Sequence, residues 1–180
     1  MKRISHQIGA VAAVGAALLG AATVAQAQES ATPKPIEVKI GVFIPSTSEL
    51  RHSAGTGLPL IEAEYTIQNL IDNNSVTKIG IGYANKNSTH IMPVTVSQIF
   101  RDSKEGPMEH GYYYGAGVGV YFTKLGVAGT SGRTKTLSGG FGVVGWNFNP
   151  KVFAEAKYHY ISRYDNVETR GLELTVGSRF

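Results

Sequence analysis

The sequence predicts an all-β chain, an eight-stranded antiparallel up-and-down transmembrane β-barrel. Three observations carry that expectation. Apolar and polar residues alternate with a period of two in eight successive segments, and no convincing helical period competes with them. The segments run to roughly 10 residues, the ~9–11 that a tilted strand needs to cross a bilayer. The connections sort by length, tight on one side and longer on the other, as in transmembrane barrels with both termini on one side.

Ahead of the first segment the chain reads as an export signal. Met1-Lys2-Arg3 is a basic start, residues 8–22 form an uncharged Ala/Gly/Val/Leu run, and Ala25-Gln26-Ala27 is a small-x-small cleavage site. The expected organisation is a signal peptide over residues 1–27, a short Pro-bearing leader over 28–35 and a barrel over 36–180. Cleavage leaves 153 of the 180 residues, one domain, with 15 basic and 13 acidic side chains and a net charge of +2. That balance, without a Lys/Arg run, excludes a phosphate-gripping nucleic-acid surface. The absence of cysteine excludes disulfides, thiolate metal sites and cysteine nucleophiles together. After residue 27 no stretch approaches the ~18 apolar residues of a membrane helix, so a membrane is crossed by strands or not at all.

The first segment sets Ile36, Val38, Ile40, Val42 and Ile44 against Glu37, Lys39, Gly41 and Phe43. The second opposes Ile61, Ala63, Tyr65 and Ile67 to Glu62, Glu64, Thr66 and Gln68, and the third opposes Ile79, Ile81 and Tyr83 to Lys78, Gly80 and Gly82. In the fourth, from about Ile91 to Arg101, Met92, Val94 and Val96 face away from Thr95 and Ser97. The fifth is almost pure: Tyr112, Tyr114, Ala116, Val118, Val120 and Phe122 alternate with Tyr113, Gly115, Gly117, Gly119 and Tyr121. The sixth, Leu137 to Phe148, starts with Leu137, Phe141 and Val143 in phase and continues with Val144, Trp146 and Phe148, a slip that a β-bulge near Val143 accounts for. The seventh opposes Val152, Ala154, Ala156, Tyr158 and Tyr160 to Glu155, Lys157 and His159. The eighth opposes Leu172, Leu174, Val176 and Phe180 to Glu173, Thr175, Gly177 and Arg179. Tight turns are expected at residues 72–75 and 149–151, longer loops at 46–56, 124–135 and 163–169, and the polar connection 102–110 is long for its side.

Alternation alone fits a soluble barrel as well, with the apolar face turned inward around a ligand. Four features favour the apolar face outside. Aromatic residues gather at two levels, Phe100, Tyr112, Tyr114, Trp146, Phe148 and Phe180 at one end, Tyr83, Phe122, Tyr158 and Tyr160 at the other, as two lipid headgroup interfaces require. Pro45, Pro59 and Pro93 map to the outer ends of strands, where a missing N–H is tolerated. The polar face carries few charges for a surface that meets water. The chain ends on Phe180, in phase with the apolar face.

The C-terminal half resembles the small outer-membrane β-barrel domain proteins, a group that includes the OmpA-, OmpX- and OmpW-type eight-stranded barrels. The residues are Tyr112 to Phe122 (YYYGAGVGVYF), Gly139 to Trp146 (GGFGVVGW), Phe153 to Tyr160 (FAEAKYHY) and the closing Leu172 to Phe180 (LELTVGSRF). Met92-Pro93-Val94-Thr95 followed by the Tyr-Gly-Ala-Gly strand is similar to OmpW-type barrels. The likeness covers roughly residues 90–180 and reaches the first half by pattern alone. It implies an outer-membrane location, contact with outer-membrane lipids and lipopolysaccharide, and a terminal Phe180 read by the barrel-assembly machinery. The chain departs from the group at Ser178, where a large apolar residue is usual, and from OmpW-type barrels in its charged inward positions.

Those inward positions are the first candidate site. Glu37, Lys39, Glu62, Glu64, Lys78, Glu155, Lys157, Glu173 and Arg179 fall on strands that become contiguous when the barrel closes. Five acids facing four bases suit mutual pairing across a lumen that eight strands leave just wide enough for side chains. Gly115, Gly117, Gly119, Gly140 and Gly142 are expected to leave room for them on the opposite wall. The second candidate is His159, Ser162 and Glu173, the residue types of acyl transfer, with a likeness to outer-membrane lipid A deacylases. A spacing of three turns His159 inward and Ser162 outward on a regular strand, so a lumen His159 paired with Glu173 competes with the catalytic reading. His52, His90 and His110 fall in predicted loops with few acids nearby and make no metal site. Gly115 to Gly119 lacks the helix and Lys-Ser/Thr of a phosphate loop. The loops around Arg51-His52-Ser53, Lys124 and Arg133-Thr134-Lys135 are mildly basic and placed to touch lipopolysaccharide phosphates. The expectation is a monomeric, cofactor-free, non-enzymatic envelope barrel with a side-chain-filled lumen. The alternatives are a narrow OmpW-like channel, a lipid A-modifying acyl hydrolase and a soluble periplasmic ligand-binding barrel.

Overall fold

The computed structural model describes residues 35–67, 75–101, 111–127 and 129–180. The expected signal peptide, all but the last residue of the leader, the connection 102–110 with His110, and most of the turn 72–75 lie outside the described residues. Eight strands follow in order: β1 (Ile36–Pro45), β2 (Leu58–Ile67), β3 (Ser75–Lys86), β4 (Thr89–Arg101), β5 (Gly111–Lys124), β6 (Lys135–Asn147), β7 (Val152–Ile161) and β8 (Gly171–Arg179). Each pairs antiparallel with its sequence neighbours, and β1 returns to β8 from Glu37↔Arg179 to Pro45↔Gly171, closing the barrel. Closure leaves no strand edge to recruit another chain. The Phe180 N–H donates to Ile36 O at 2.8 Å, so the start of β1 and the end of the chain share one end of the barrel.

The apolar face points outward. Ile40, Ile61, Val118, Val144, Tyr160 and Phe180 are each more than half exposed, and the charged face is buried. Exposed rings ring the terminus end at Phe100, Tyr112, Tyr114, Trp146, Phe148 and Phe180, and the loop end at Tyr83, Tyr158 and Tyr160. Phe100 and Tyr114, directly opposite on β4 and β5, stack at 5.8 Å.

Four local expectations are corrected. β6 holds one register against β5, from Thr123↔Lys135 to Gly111↔Asn147, and one against β7, so no bulge occurs. Leu137, Phe141 and Val143 are buried in the lumen while Val144 and Trp146 face out. The strand has apolar residues on both faces, which imitates a slip. Gly140 and Gly142 consequently point outward, and Gly139 and Gly145 take the inward places.

Pro93 lies inside β4 rather than at its tip. The β3–β4 pairing lapses between Ile81↔Val94 and Ala84↔Ile91, where proline has no N–H to give. His90 belongs to β4, opposite Asn85 and Lys124, because β3 and β4 are joined by the two-residue turn Asn87-Ser88, with Asn87 at φ 55°. His52 lies on a short helix, α1 (Ser48–Ala54), inside the expected first loop, which ends at Gly55 with φ 82°.

Candidate functional site

The interior combines an ionic layer, with Val76, Ile99, Tyr113, Phe141, Val143 and Phe153 clustered among its charges, and a second apolar cluster toward the loop end. The ionic layer follows from strand phase: β1, β2, β3, β7 and β8 each turn alternate polar residues inward. All nine sequence-predicted lumen charges are buried, none more than 4 % exposed. Lys39 Nζ lies 2.5 Å from Glu155, 2.7 Å from Glu64 and 3.3 Å from Glu62. Lys157 Nζ sits 2.7 Å from both Glu62 and Glu64, and Lys78 Nζ 2.6 Å from Glu37 and 3.3 Å from Glu64. Arg179 Nε donates to Glu37 Oε1 at 2.9 Å. Each ammonium bridges acids from at least two strands, so the layer ties the closing seam to its neighbours. Charges so deeply buried persist only when paired and hydrogen-bonded. Glu37, Glu64 and Glu155 place carboxylate oxygens within 4.8 Å of one another, the spacing a metal ion asks for. The ammoniums of Lys39 and Lys78 reach the same carboxylates and take the cation's part.

The facing wall supplies rings rather than empty space. A Cβ on Gly117 would fall 2.4 Å from Phe141 Cζ, on Gly145 2.2 Å from Tyr113 Cζ, and on Gly177 2.4 Å from Phe153 Cζ. Lumen rings therefore lie flat on inward glycines of the neighbouring strand, and the lumen is filled by that pairing. Phe153 also receives three cations over its face, Arg179 at 4.2 Å and Lys39 and Lys78 at 5.8 Å each. Tyr113 donates its hydroxyl to Glu155 Oε1 at 2.8 Å. This partner was not legible, because a tyrosine in an inward phase gives no sign of what it reaches.

His159 stands between the two layers. Its Nε2 is 3.0 Å from Glu173 Oε2, its Nδ1 is 3.0 Å from the Tyr121 hydroxyl, and the rings of Phe43, Tyr121 and Phe141 surround it. Both ring nitrogens are thus engaged by buried partners. Ser162 is exposed beyond the end of β7, its N–H on Ser138 O and its carbonyl accepting from Thr169. The structure brings His159 and Glu173 together and leaves Ser162 outside the pair. A serine protease-like arrangement needs one imidazole nitrogen on the serine, and neither is free for it.

Toward the loop end the filling turns apolar. Leu50 and Ala54, one helical turn apart on α1, are fully buried with Phe43, Leu58, Leu60, Ile91, Leu125, Leu137, Ile161 and Tyr164. The loops are tied over this cluster. The Tyr164 hydroxyl donates to Arg133 O, and Lys135 pairs with Asp165. Asp165 Oδ2 accepts from the Ser131 N–H at 3.2 Å, and with Lys135 this holds its carboxyl below the ordinary range. Among the described residues the lumen thus holds ion pairs and rings below and an apolar cork of strand, α1 and loop side chains above.

No protein-family model matches the chain, and no curated protein matches its sequence. Solved structures do match in fold. The crystal structure of Neisserial surface protein A superposes with a TM-score of 0.54 at 18% identity, covering 84% of this chain and 98% of that one. The fold is that of the small outer-membrane barrels. The Yersinia pestis outer membrane protein Ail, in a phospholipid bilayer nanodisc, gives a TM-score of 0.53 at 15% identity over 82% of this chain and 99% of its own. The crystal structure of Ail, the attachment invasion locus protein, gives 0.52 at 18% over 83% and 100%. At these identities the likeness is one of architecture.

Proposed function

We propose that the chain is an exported outer-membrane barrel of a Gram-negative-type envelope, and that it works as a structural or surface-contact protein rather than a conduit. The observation that carries this is a barrel apolar outside and filled inside. The outward aliphatic belt between two levels of exposed rings suits a bilayer, and a soluble barrel has no reason to expose Ile40 and Val118. The ionic layer and the cork fill the lumen with buried side chains among the described residues, which argues against an OmpW-like channel. The engaged nitrogens of His159 argue against an acyl hydrolase. On this reading the α1 end faces outward, toward lipopolysaccharide. Phe180, exposed beside Ile36, is the element offered to the assembly machinery, and the closed edge favours a monomer.

The test is envelope fractionation followed by gel electrophoresis with and without boiling. The expected result is an outer-membrane band whose mobility shifts on heating, as a detergent-resistant closed barrel gives. A soluble periplasmic band indifferent to heat would overturn the proposal.

A further inference from the structure

The loop end carries an excess of positive charge. Residues 45–58, 84–91, 121–137 and 161–171 hold seven lysines and arginines against three acids among the described residues. Asp165 is taken by Lys135. Three of the remaining cations, Arg51, Arg163 and Arg170, line one open cleft of about 530 Å³ between the start of α1 and the β7–β8 loop. Its walls are fixed before any ligand arrives. The Ser46 N–H donates to Arg170 O at 3.0 Å, and Thr47 Oγ1 donates to Glu168 O at 3.1 Å. Inside, Glu168 accepts from Arg170 at 2.6 Å and from Arg163 at 3.4 Å. Arg51 donates to a backbone carbonyl, Ser46 O, at 3.1 Å and has no acid partner among the described residues. Glu49 also lines the cleft, turned to its own Ser48 at 3.2 Å, and the balance is still positive.

We infer that this cleft holds a phosphoryl group of a phosphorylated glycolipid headgroup. The inference deepens the outer-membrane reading above and rests on it for the direction the cleft faces. Guanidinium forks match two oxygens of a phosphate, and a phosphomonoester near neutral pH brings close to two negative charges. The two guanidiniums of Arg163 and Arg170 already converge on one oxyanion, the Glu168 carboxylate, which leaves Arg51 and the outer N–H groups of the pair for a phosphoryl group. Height selects a lipid over a distant soluble partner. The cleft opens directly above the last β1–β8 pair, Pro45↔Gly171, on loops that the buried Leu50, Ala54 and Tyr164 hold down over the barrel mouth. Beneath it the same two strands present outward Ile44, Val42, Ile40, Leu172, Leu174 and Val176. Basic cleft and aliphatic strip stand in the order of a headgroup and its acyl chains.

The test uses the full mature barrel folded in zwitterionic detergent, with retained lipid read by native mass spectrometry. The probes are bisphosphorylated lipid A, the same lipid after enzymatic dephosphorylation, and inorganic phosphate. The expected result is retention of the phosphorylated form, weakened by at least about tenfold in the Arg163→Gln/Arg170→Gln variant. The Lys124→Gln/Arg133→Gln variant removes the same charge elsewhere on the rim and should retain the lipid as the parent does. Equal retention of both lipid forms, or equal weakening in both variants, overturns the inference. Inorganic phosphate that binds as tightly as the lipid overturns its lipid half. Both variants are checked for the heat-dependent gel shift, so loss of folding is not mistaken for loss of the site. Because retention is measured on purified protein, a periplasmic result in fractionation and a failed lipid preference are separate outcomes.

Discussion

Lys39 is the residue on which most of the ionic layer converges. Its ammonium lies within 3.3 Å of three glutamates from β2 and β7, and its side chain is fully buried. Removing it leaves buried acids crowded together with one cation fewer. Lys39→Met is therefore expected to cost about 3–5 kcal/mol, and the double change Lys39→Met/Glu155→Gln distinctly less, because it removes a lone charge as well as a pair. Urea unfolding in lipid vesicles, followed by the single tryptophan Trp146, measures both. A double variant no better than the single would count against charge burial as the cause. Arg179→Ala should cost about 3 kcal/mol by the same measurement, since Glu37 keeps Lys78 but loses the guanidinium that also covers Phe153. At the surface the pH response has the opposite setting. The Lys135 ammonium depresses the Asp165 carboxyl, so the loop tie is complete above the ordinary value of 3.8 and is lost only as pH falls through the lower folded value. A carboxyl carbon-13 titration should find a midpoint below 3.8 that moves back up in Lys135→Gln. A midpoint at 3.8 in the parent would mean the tie does not exist in solution.

Among the elements β6 is the one whose phase the sequence misplaces, and its glycines test the correction. A Cβ on Gly145 would meet the buried Tyr113 ring at 2.2 Å, whereas one on Gly142 would meet nothing within 4 Å. Gly145→Ala is expected to destabilise by about 1–3 kcal/mol through overpacking. Gly142→Ala should be neutral or stabilise slightly, by limiting the unfolded chain. The reverse order would restore the bulge. Seven strands were legible because one face is aliphatic or aromatic and the other carries charges, glycines or, in β4, the hydroxyls of Thr95 and Ser97, and that contrast fixes phase without any tertiary knowledge. β6 lacks the contrast, with Phe141 and Val143 on one face and Val144 and Trp146 on the other. The helix α1 was missed because Leu50 and Ala54 are its whole apolar face, too short for a period to register. The charged lumen was legible as a set of inward positions, but not as a set of partners, since alternation gives the face of a residue and not its height. Of the arginine cleft the sequence shows only the basic loop at Arg51, as Arg51 and Arg163 lie far apart in the chain and meet only when β1 closes on β8.

For the whole molecule the consequence of two filled layers is that they act in series. Ion flow through a path with two obstructions is limited by whichever remains, so relieving one leaves the barrel closed. Replacing α1 by a Gly-Ser loop of equal length removes Leu50 and Ala54 from the cork but leaves Lys39, Lys157, Glu62 and Glu64 locked across the lumen. Changing those four to serine removes the middle of the ionic layer, leaving Glu37, Lys78, Glu155, Glu173 and Arg179, and spares the cork. Two acids and two bases leave together, Glu155 keeps the Tyr113 hydroxyl at 2.8 Å and Lys78 at 3.8 Å, and Glu173 keeps His159, so this variant is expected to fold, with a heat-dependent gel shift as the check. In planar bilayers the parent and each single lesion should show no stable conductance steps, and the combined variant should show them. Steps in the parent would mean that the loops leave the mouth in a membrane and that the ion pairs part with them. Steps with the α1 replacement alone would assign the whole seal to the cork, and the charge network would then hold the barrel together without closing it.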